Sequence, residues 1–185
     1  MRATNRAWGR GLVALAVLVV TAVGTVATTQ ASAPKSSGIP TGSVVGTSTG
    51  TLPDWFPPAW AGDRVRFDLD AHGNPMRTTG SFRVFHGVGT TDQARAEFEG
   101  DITCLTVAGP VAIATGVIRH GYAHFPGMDN PDVTGKKVSF TVLDQGGHDR
   151  MYWAWEFAHA PVTDCMGLAP LFQPSHGGFR VRTQG

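Results

Sequence analysis

The sequence predicts an all-β fold: a small antiparallel barrel of about eight strands, mostly a meander, with a two-sheet β-sandwich as the alternative. Three observations carry this. The 185 residues include 24 glycines and 12 prolines, and only 16% are charged, against roughly 25% in an average globular domain. Short runs alternate apolar and polar side chains with the period of two that marks a half-buried strand. Turn-length connections join most of these runs, and no segment has a convincing helical period. Eight short strands in a meander hide their edges by closing into a barrel or by stacking as two sheets.

Residues 1–33 read as a secretory leader. Arg2, Arg6 and Arg10 precede an apolar run from Gly11 to about Val26, and Ala31-Ser32-Ala33 forms an A-x-A cleavage site. The run is short and is interrupted by Thr21, Gly24 and Thr25. Cleavage is therefore expected rather than a retained anchor, giving a secreted protein with no stable membrane attachment. The leader holds three of the 15 basic residues and none of the 14 acidic ones. The remainder thus carries 12 basic against 14 acidic residues, a net charge of −2. That balance gives no electrostatic footprint for nucleic acid.

Residues 34–52 are rich in Ser, Gly, Thr and Pro and nearly devoid of charge. The composition predicts a flexible linker before a domain at 53–185. Leu52 to Trp60 places Trp55, Phe56 and Trp60 among three prolines. This arm is expected to plug one end of the fold; the alternative is an exposed aromatic platform for sugars.

Strands are then expected over Arg64–Asp70, Thr79–His86, Ala94–Glu99, Ile102–Val107, Val111–His120, Lys137–Asp144, Arg150–Phe157 and Gly178–Thr183. Val65, Phe67 and Leu69 share one face, as do Phe82 and Val84, and Val138, Phe140 and Val142. Ala94, Ala96 and Phe98 are expected inward, with Arg95, Glu97 and Glu99 outward. Gly100 breaks the alternation and predicts a bulge or bend. Residues 121–135 form a long loop.

Cys104 and Cys165 are the only cysteines. In an exported chain with no C-x-x-C and no basic cluster beside either thiol, they predict a structural disulfide. It would clamp the strand containing Cys104 to the loop after the tryptophan-bearing strand.

No sequence motif supplies a catalytic assignment. There is no G-x-S-x-G and no phosphate-cradling glycine loop. The seven histidines show no zinc spacing, and the turn Asp144-Gln145-Gly146-Gly147-His148-Asp149 does not match a calcium loop. It reads as turn formers and solvated charges, so neither a metal nor a cofactor is expected. Glu97 and Glu99 would point the same way on a strand, opposite the apolar face. The strongest candidate surface is Met151, Trp153, Trp155 and Phe157, four large side chains on one strand face. They either fill the core or line an apolar pocket, with 121–135 as its lid and Tyr122, His124 and Phe125 at its rim.

Phe98-Glu99-Gly100-Asp101-Ile102-Thr103-Cys104-Leu105 forms an F-x-G-[DE]-[IV]-x-C-L core. Asp63 to Gly73, Gly135 to Asp144 and Asp149-Arg150-Met151 accompany it. Over about residues 60–183 this pattern resembles a group of exported actinobacterial β-rich proteins of unknown function. The resemblance implies export and a single β domain after a leader and linker. It implies no catalytic residues.

The functional expectation is a non-enzymatic exported domain that binds a small apolar ligand or a cell-wall glycan. One alternative is a small-barrel enzyme of the cyclase or isomerase type, using Glu99, Asp101, Asp144 or a nearby histidine for proton transfer. The other is an interaction module of the cell envelope. An inward-facing ionisable group with a perturbed pKa favours the enzyme, a roomy apolar cavity favours the binder, and a filled interior favours the module.

Overall fold

The structure is a computed structural model that describes residues 39–128 and 130–184. The predicted leader and residues 34–38 lie outside the described residues. The fold is one strongly curled antiparallel sheet, a half-barrel of eight strands. The strands are β1 (Thr41–Thr51), β2 (Arg64–Asn74), β3 (Arg77–Gly87), β4 (Ala94–Ala108), β5 (Val111–Ala123), β6 (Lys137–Leu143), β7 (Arg150–Trp155) and β8 (His176–Gln184). Their order is β7-β6-β5-β4-β3-β2-β1-β8. The first seven make a meander, and β8 returns to pair with β1. A single 3₁₀ turn, Glu156–Ala158, follows β7.

The count of eight agrees with expectation, but its composition differs. Ala94–Glu99 and Ile102–Val107 are one continuous strand. The eighth strand is β1, inside the stretch read as a linker over 34–52. Its Ser, Thr and Gly residues carry little apolar surface of their own. The pairing with β2 on one side and β8 on the other supplies what composition lacked. Val44, Ser48 and Gly50 face inward and are buried. The glycines there leave room for neighbours: the ring of Phe172 occupies the space a side chain at Gly50 would need.

The inner face is filled. Phe67 on β2 meets Trp153 and Trp155 on β7 at ring-centroid distances of 4.5 and 6.4 Å, and Phe82 on β3 meets Phe140 on β6 at 5.3 Å. Phe98 meets Trp155 edge-on at 4.6 Å. Such offset and edge-to-face pairs add to the area term. Phe82 also lies over Gly100 and Gly116, where any Cβ would collide with its ring. Inward glycines covered by an aromatic ring let a sheet bend sharply without leaving a void.

Three bulges sort side chains between the faces. Thr103 is the extra residue between the Ile102–Gly116 and Cys104–Thr115 pairs. It turns Cys104 to the outer face while Leu105 enters the core. There Cys104 forms the expected disulfide with Cys165. Residues 161–168 then run over the outer face of β5–β7. The Cys165 amide donates to Thr115 Oγ1 (3.1 Å), and Ser139 Oγ donates to the Met166 carbonyl (2.7 Å). Near Gly100, the extra residue is Arg119 on β5, not a residue of β4. The third bulge separates the His86–Ala96 and Gly87–Ala94 pairs and leaves Arg95 out of register.

No ladder joins β7 to β8. Phe172, fully buried, pairs with Met151 through two backbone hydrogen bonds of 2.8 and 2.9 Å. The free edge of β8 is met by carboxylates. Asp149 accepts from the Phe179 amide (2.6 Å), and Asp144 from the Val181 amide (2.9 Å). The reading of this turn as solvated charges is therefore corrected at Asp149, which is only 5% exposed. A β8 edge with no strand partner needs acceptors, and the β6–β7 turn supplies them.

Two stability predictions follow from this closure. Asp149→Ala leaves the Phe179 amide unpaired in a buried site and is expected to cost about 2–3 kcal/mol, read from urea unfolding. Replacing both Cys104 and Cys165 by serine opens a loop with a sequence separation of 61. The loss expected is roughly 4 kcal/mol on the chain-entropy model. An unchanged unfolding midpoint in either variant would remove its part of the account.

Candidate functional site

The outer face of β1–β5 carries polar side chains in cross-strand rows. Thr47, Asp68, Arg83, Glu99 and His120 fall in one row across five strands. Val45, Asp70, Ser81 and Asp101 make the next, and Thr49, Arg66, Phe85, Glu97 and Tyr122 lie on the other side. The Arg119 bulge puts Arg119 and His120, consecutive residues, both on this exposed face. A bulge is the ordinary way to add a side chain to one face of a strand.

Two open grooves follow these rows. The larger, about 660 Å³, runs from Val45 and Thr47 to Arg119 and His120. The second, about 480 Å³, shares Asp68 and Arg83 with it and extends to Arg64, Phe85 and Glu97. Together they present five distinct carboxylates and four guanidinium groups. Most are already paired. Arg66 Nη2 donates to Asp68 (2.9 Å), Arg83 Nη2 to Glu97 (2.7 Å) and Arg119 Nε to Asp101 (2.7 Å). Burial pushes the Asp68 carboxyl up, but hydrogen bonds from Arg66 and Thr47 and the charges of Arg66 and Arg83 hold it below the ordinary range. Among the described residues Glu99 and His120 stand in no ion pair, although they are direct cross-strand partners. The groove thus has fixed charge pairs along its walls and an uncommitted carboxylate and imidazole side by side on β4 and β5 at one end.

The aromatic candidates lie elsewhere. Met151, Trp155 and Phe157 are buried, and half-buried Trp153 packs on Phe67, Phe56 and Phe172. Of the proposed rim residues, Phe125 rests on Trp60 (5.1 Å) and stacks on Phe157 (6.0 Å). Tyr122 and His124 are exposed, with ring centroids 5.3 Å apart. The loop therefore lies down on the aromatic cluster. The arm divides its rings: Phe56 is buried, Trp60 is half-buried, and Trp55 is 55% exposed, stacked beside Tyr152.

Sequence reasoning missed a second polar cluster, which is buried. Asp63, His86 and Arg95 meet at the end of the half-barrel where β2 and β4 begin and β3 finishes. Arg95 was expected to point outward with Glu97 and Glu99. The bulge beside it lets the guanidinium reach Asp63 Oδ2 instead (3.1 Å). His86 Nε2 lies 3.0 Å from the same oxygen. The sequence signal was present, because His86 continues the inward series Phe82 and Val84. Burial lowers the His86 pKa, helped by Arg95 and opposed by Asp63. Among the described residues no group of three or more His, Cys, Asp or Glu side chains is placed to hold a metal ion.

Comparison with protein-family models, curated proteins and solved structures finds no match to this chain.

The sign of the His86 effect is fixed by its lowered folded pKa. Below the ordinary histidine value of about 6.5 the unfolded chain takes up a proton more readily than the folded one. Stability is therefore expected to be full above that value and to fall as pH drops towards the lowered folded value. Urea midpoints measured across this window should show the fall in the wild type and lose it in His86→Gln. A wild-type midpoint flat down to about pH 5 would contradict the burial argument.

Proposed function

We propose that this chain is an exported, non-enzymatic binding domain whose ligand is a surface glycan lying along the outer groove. The observation that carries the reading is the polar row Thr47–Asp68–Arg83–Glu99–His120 in an open groove of about 660 Å³. A sugar hydroxyl both donates and accepts. Carboxylates accept a hydrogen bond from the hydroxyl and guanidinium groups donate one to its oxygen, so a lining of both signs suits a hydroxyl-rich ligand. Nearly balanced charge argues against a strongly charged polymer. The groove's length across five strands suits an extended ligand.

An apolar ligand finds less support, because the ring contacts of Phe67, Phe140, Trp153 and Trp155 occupy the interior, which leaves binding to the outer face. Inward-facing His86 is the feature that would favour an enzyme, but its Nε2 is engaged by Asp63 and its ring lies against Trp60 and Phe125. The exposed face of Trp55 offers sugars a separate stacking contact. The leader pattern at 1–33 and the Cys104–Cys165 bond support an oxidising, extracellular setting. Among the described residues no helix is long and apolar enough to cross a membrane.

The test is calorimetric titration with soluble fragments of cell-wall polysaccharides. Glu99→Ala with His120→Ala removes the two uncommitted groups and should weaken binding at least tenfold, since a hydrogen bond to the Glu99 carboxylate alone is worth about 1.5–3 kcal/mol. Both residues are exposed, so the fold should be unaffected. Glycan binding unchanged in the double variant, or no glycan binding by the wild type, would overturn the reading.

A further inference from the structure

The cluster of Asp63, His86 and Arg95 has no part in glycan binding, and its position gives it a separate role. The Asp63 side chain is 5% exposed, His86 8% and Arg95 19%. One Asp63 oxygen serves both Arg95 and His86, and the other accepts the Gly89 amide at 2.6 Å. Backbone bonds extend the cluster into three connections. The Leu52 amide donates to the Asp63 carbonyl and the Arg64 amide to the Gly89 carbonyl, each at 2.8 Å. The His124 amide donates to the Arg95 carbonyl at 2.8 Å. The β1–β2 and β3–β4 connections are thereby joined at the buried carboxylate, and the β5–β6 connection is tied to the backbone of its Arg95 partner.

A cover of two rings lies against it. The His86 ring is 6.4 Å from Trp60 and 5.4 Å from Phe125, and Phe125 stacks on Phe157. The indole Nε1 of Trp60 is buried without a hydrogen-bond partner.

With the imidazole neutral, the cluster holds one anion and one cation. The charged groups facing His86 are Asp63 from the β1–β2 connection and Arg95 from β4; the other elements against it present the uncharged rings of Trp60 and Phe125. A proton on His86 makes two cations share one carboxylate in a largely buried site. Unbalanced buried charge is costly, and the nearest relief is hydration through the end of the sheet. The sheet itself is held elsewhere, by the Cys104–Cys165 bond and by the Phe67–Phe140–Trp155 rings.

We propose that Asp63, His86 and Arg95 form an acid-released latch: proton uptake at His86 frees the Trp60 and Phe125 cover while the sheet stays folded. Opening uncovers Phe157 and the rings behind it, so an apolar surface becomes available only in acid. The proposal stands whether or not the outer groove binds glycan.

Amide hydrogen exchange resolved by residue tests it on the intact protein between about pH 7.5 and about pH 5. Gly89 and His124 should exchange several-fold faster in acid, after correction for the intrinsic rate. Ala114 and Phe140 in the sheet should keep their protection. In His86→Gln, whose amide nitrogen can still donate to Asp63, the acid-induced rise should vanish. The His86 ring resonance of the wild type supplies a second measurement should that variant fail to fold: its titration midpoint should coincide with the onset of fast exchange. An equal rise in the glutamine variant overturns the latch. So does a rise shared with Ala114 and Phe140, which would be global unfolding. A ring that titrates while Gly89 and His124 stay protected, or one that stays neutral to about pH 5, overturns it as well.

Discussion

A sheet that curls back on itself must provide for the two strands at its ends. Here β7 and β8 do not pair, and everything inside depends on how that gap is filled. Phe172 enters it as a single paired residue, using the Met151 amide and carbonyl, and its ring takes the space beside Gly50. Asp149 and Asp144 then satisfy amides on β8 that a ninth strand would otherwise claim. An exposed row of unpaired amides is a template for another chain. Two carboxylates fixed in a turn blunt it without needing another strand.

A closed seam lets the interior be dry, and the aromatic rings then fill it. This moves the accessible chemistry outward. The same bulges that adjust the curl decide which side chains arrive there. Thr103 sends Cys104 out to meet the crossing arm, and Arg119 brings His120 opposite Glu99. The arm covers the outer face over β5–β7 through Cys165 and Met166. The outer face of β1–β5 stays open, and the grooves lie there. Curl, disulfide and groove are thus consequences of one set of register shifts.

Much of this was legible in the residues themselves. The period-two runs placed β2, β3 and β6 on the correct faces, and two cysteines in a chain expected to be exported implied their bond. Gly100 announced an irregularity, but the extra residue fell on the partner strand, which one strand's pattern cannot show. Strand β1 was hidden for a related reason. Its Val-Gly-Thr-Ser composition resembles a linker, and its strand character comes from neighbours on both sides. Arg95 was misplaced because alternation assumes an unbroken register. The groove was unreadable as a site, since it consists of the outward residues of five separate strands brought into rows by pairing.

The two polar regions differ in what surrounds them, and the roles proposed for them follow from that difference. In the groove, Arg66, Arg83 and Arg119 are exposed, so water screens each pair and the pairs contribute little to folding. For the proposed glycan contact they would provide order: partners already paired need not be rearranged when a ligand arrives. At the end of the sheet, burial removes the screening, and the same kinds of residue become sensitive to a single proton. Asp63 can satisfy Arg95, Gly89 and a neutral His86 together, but it cannot neutralise a second cation. The exposed pairs are therefore suited to contact and the buried cluster to control. The two can act independently because the groove is laid across the outer face of the strands, whereas the cluster ties down the connections at their ends.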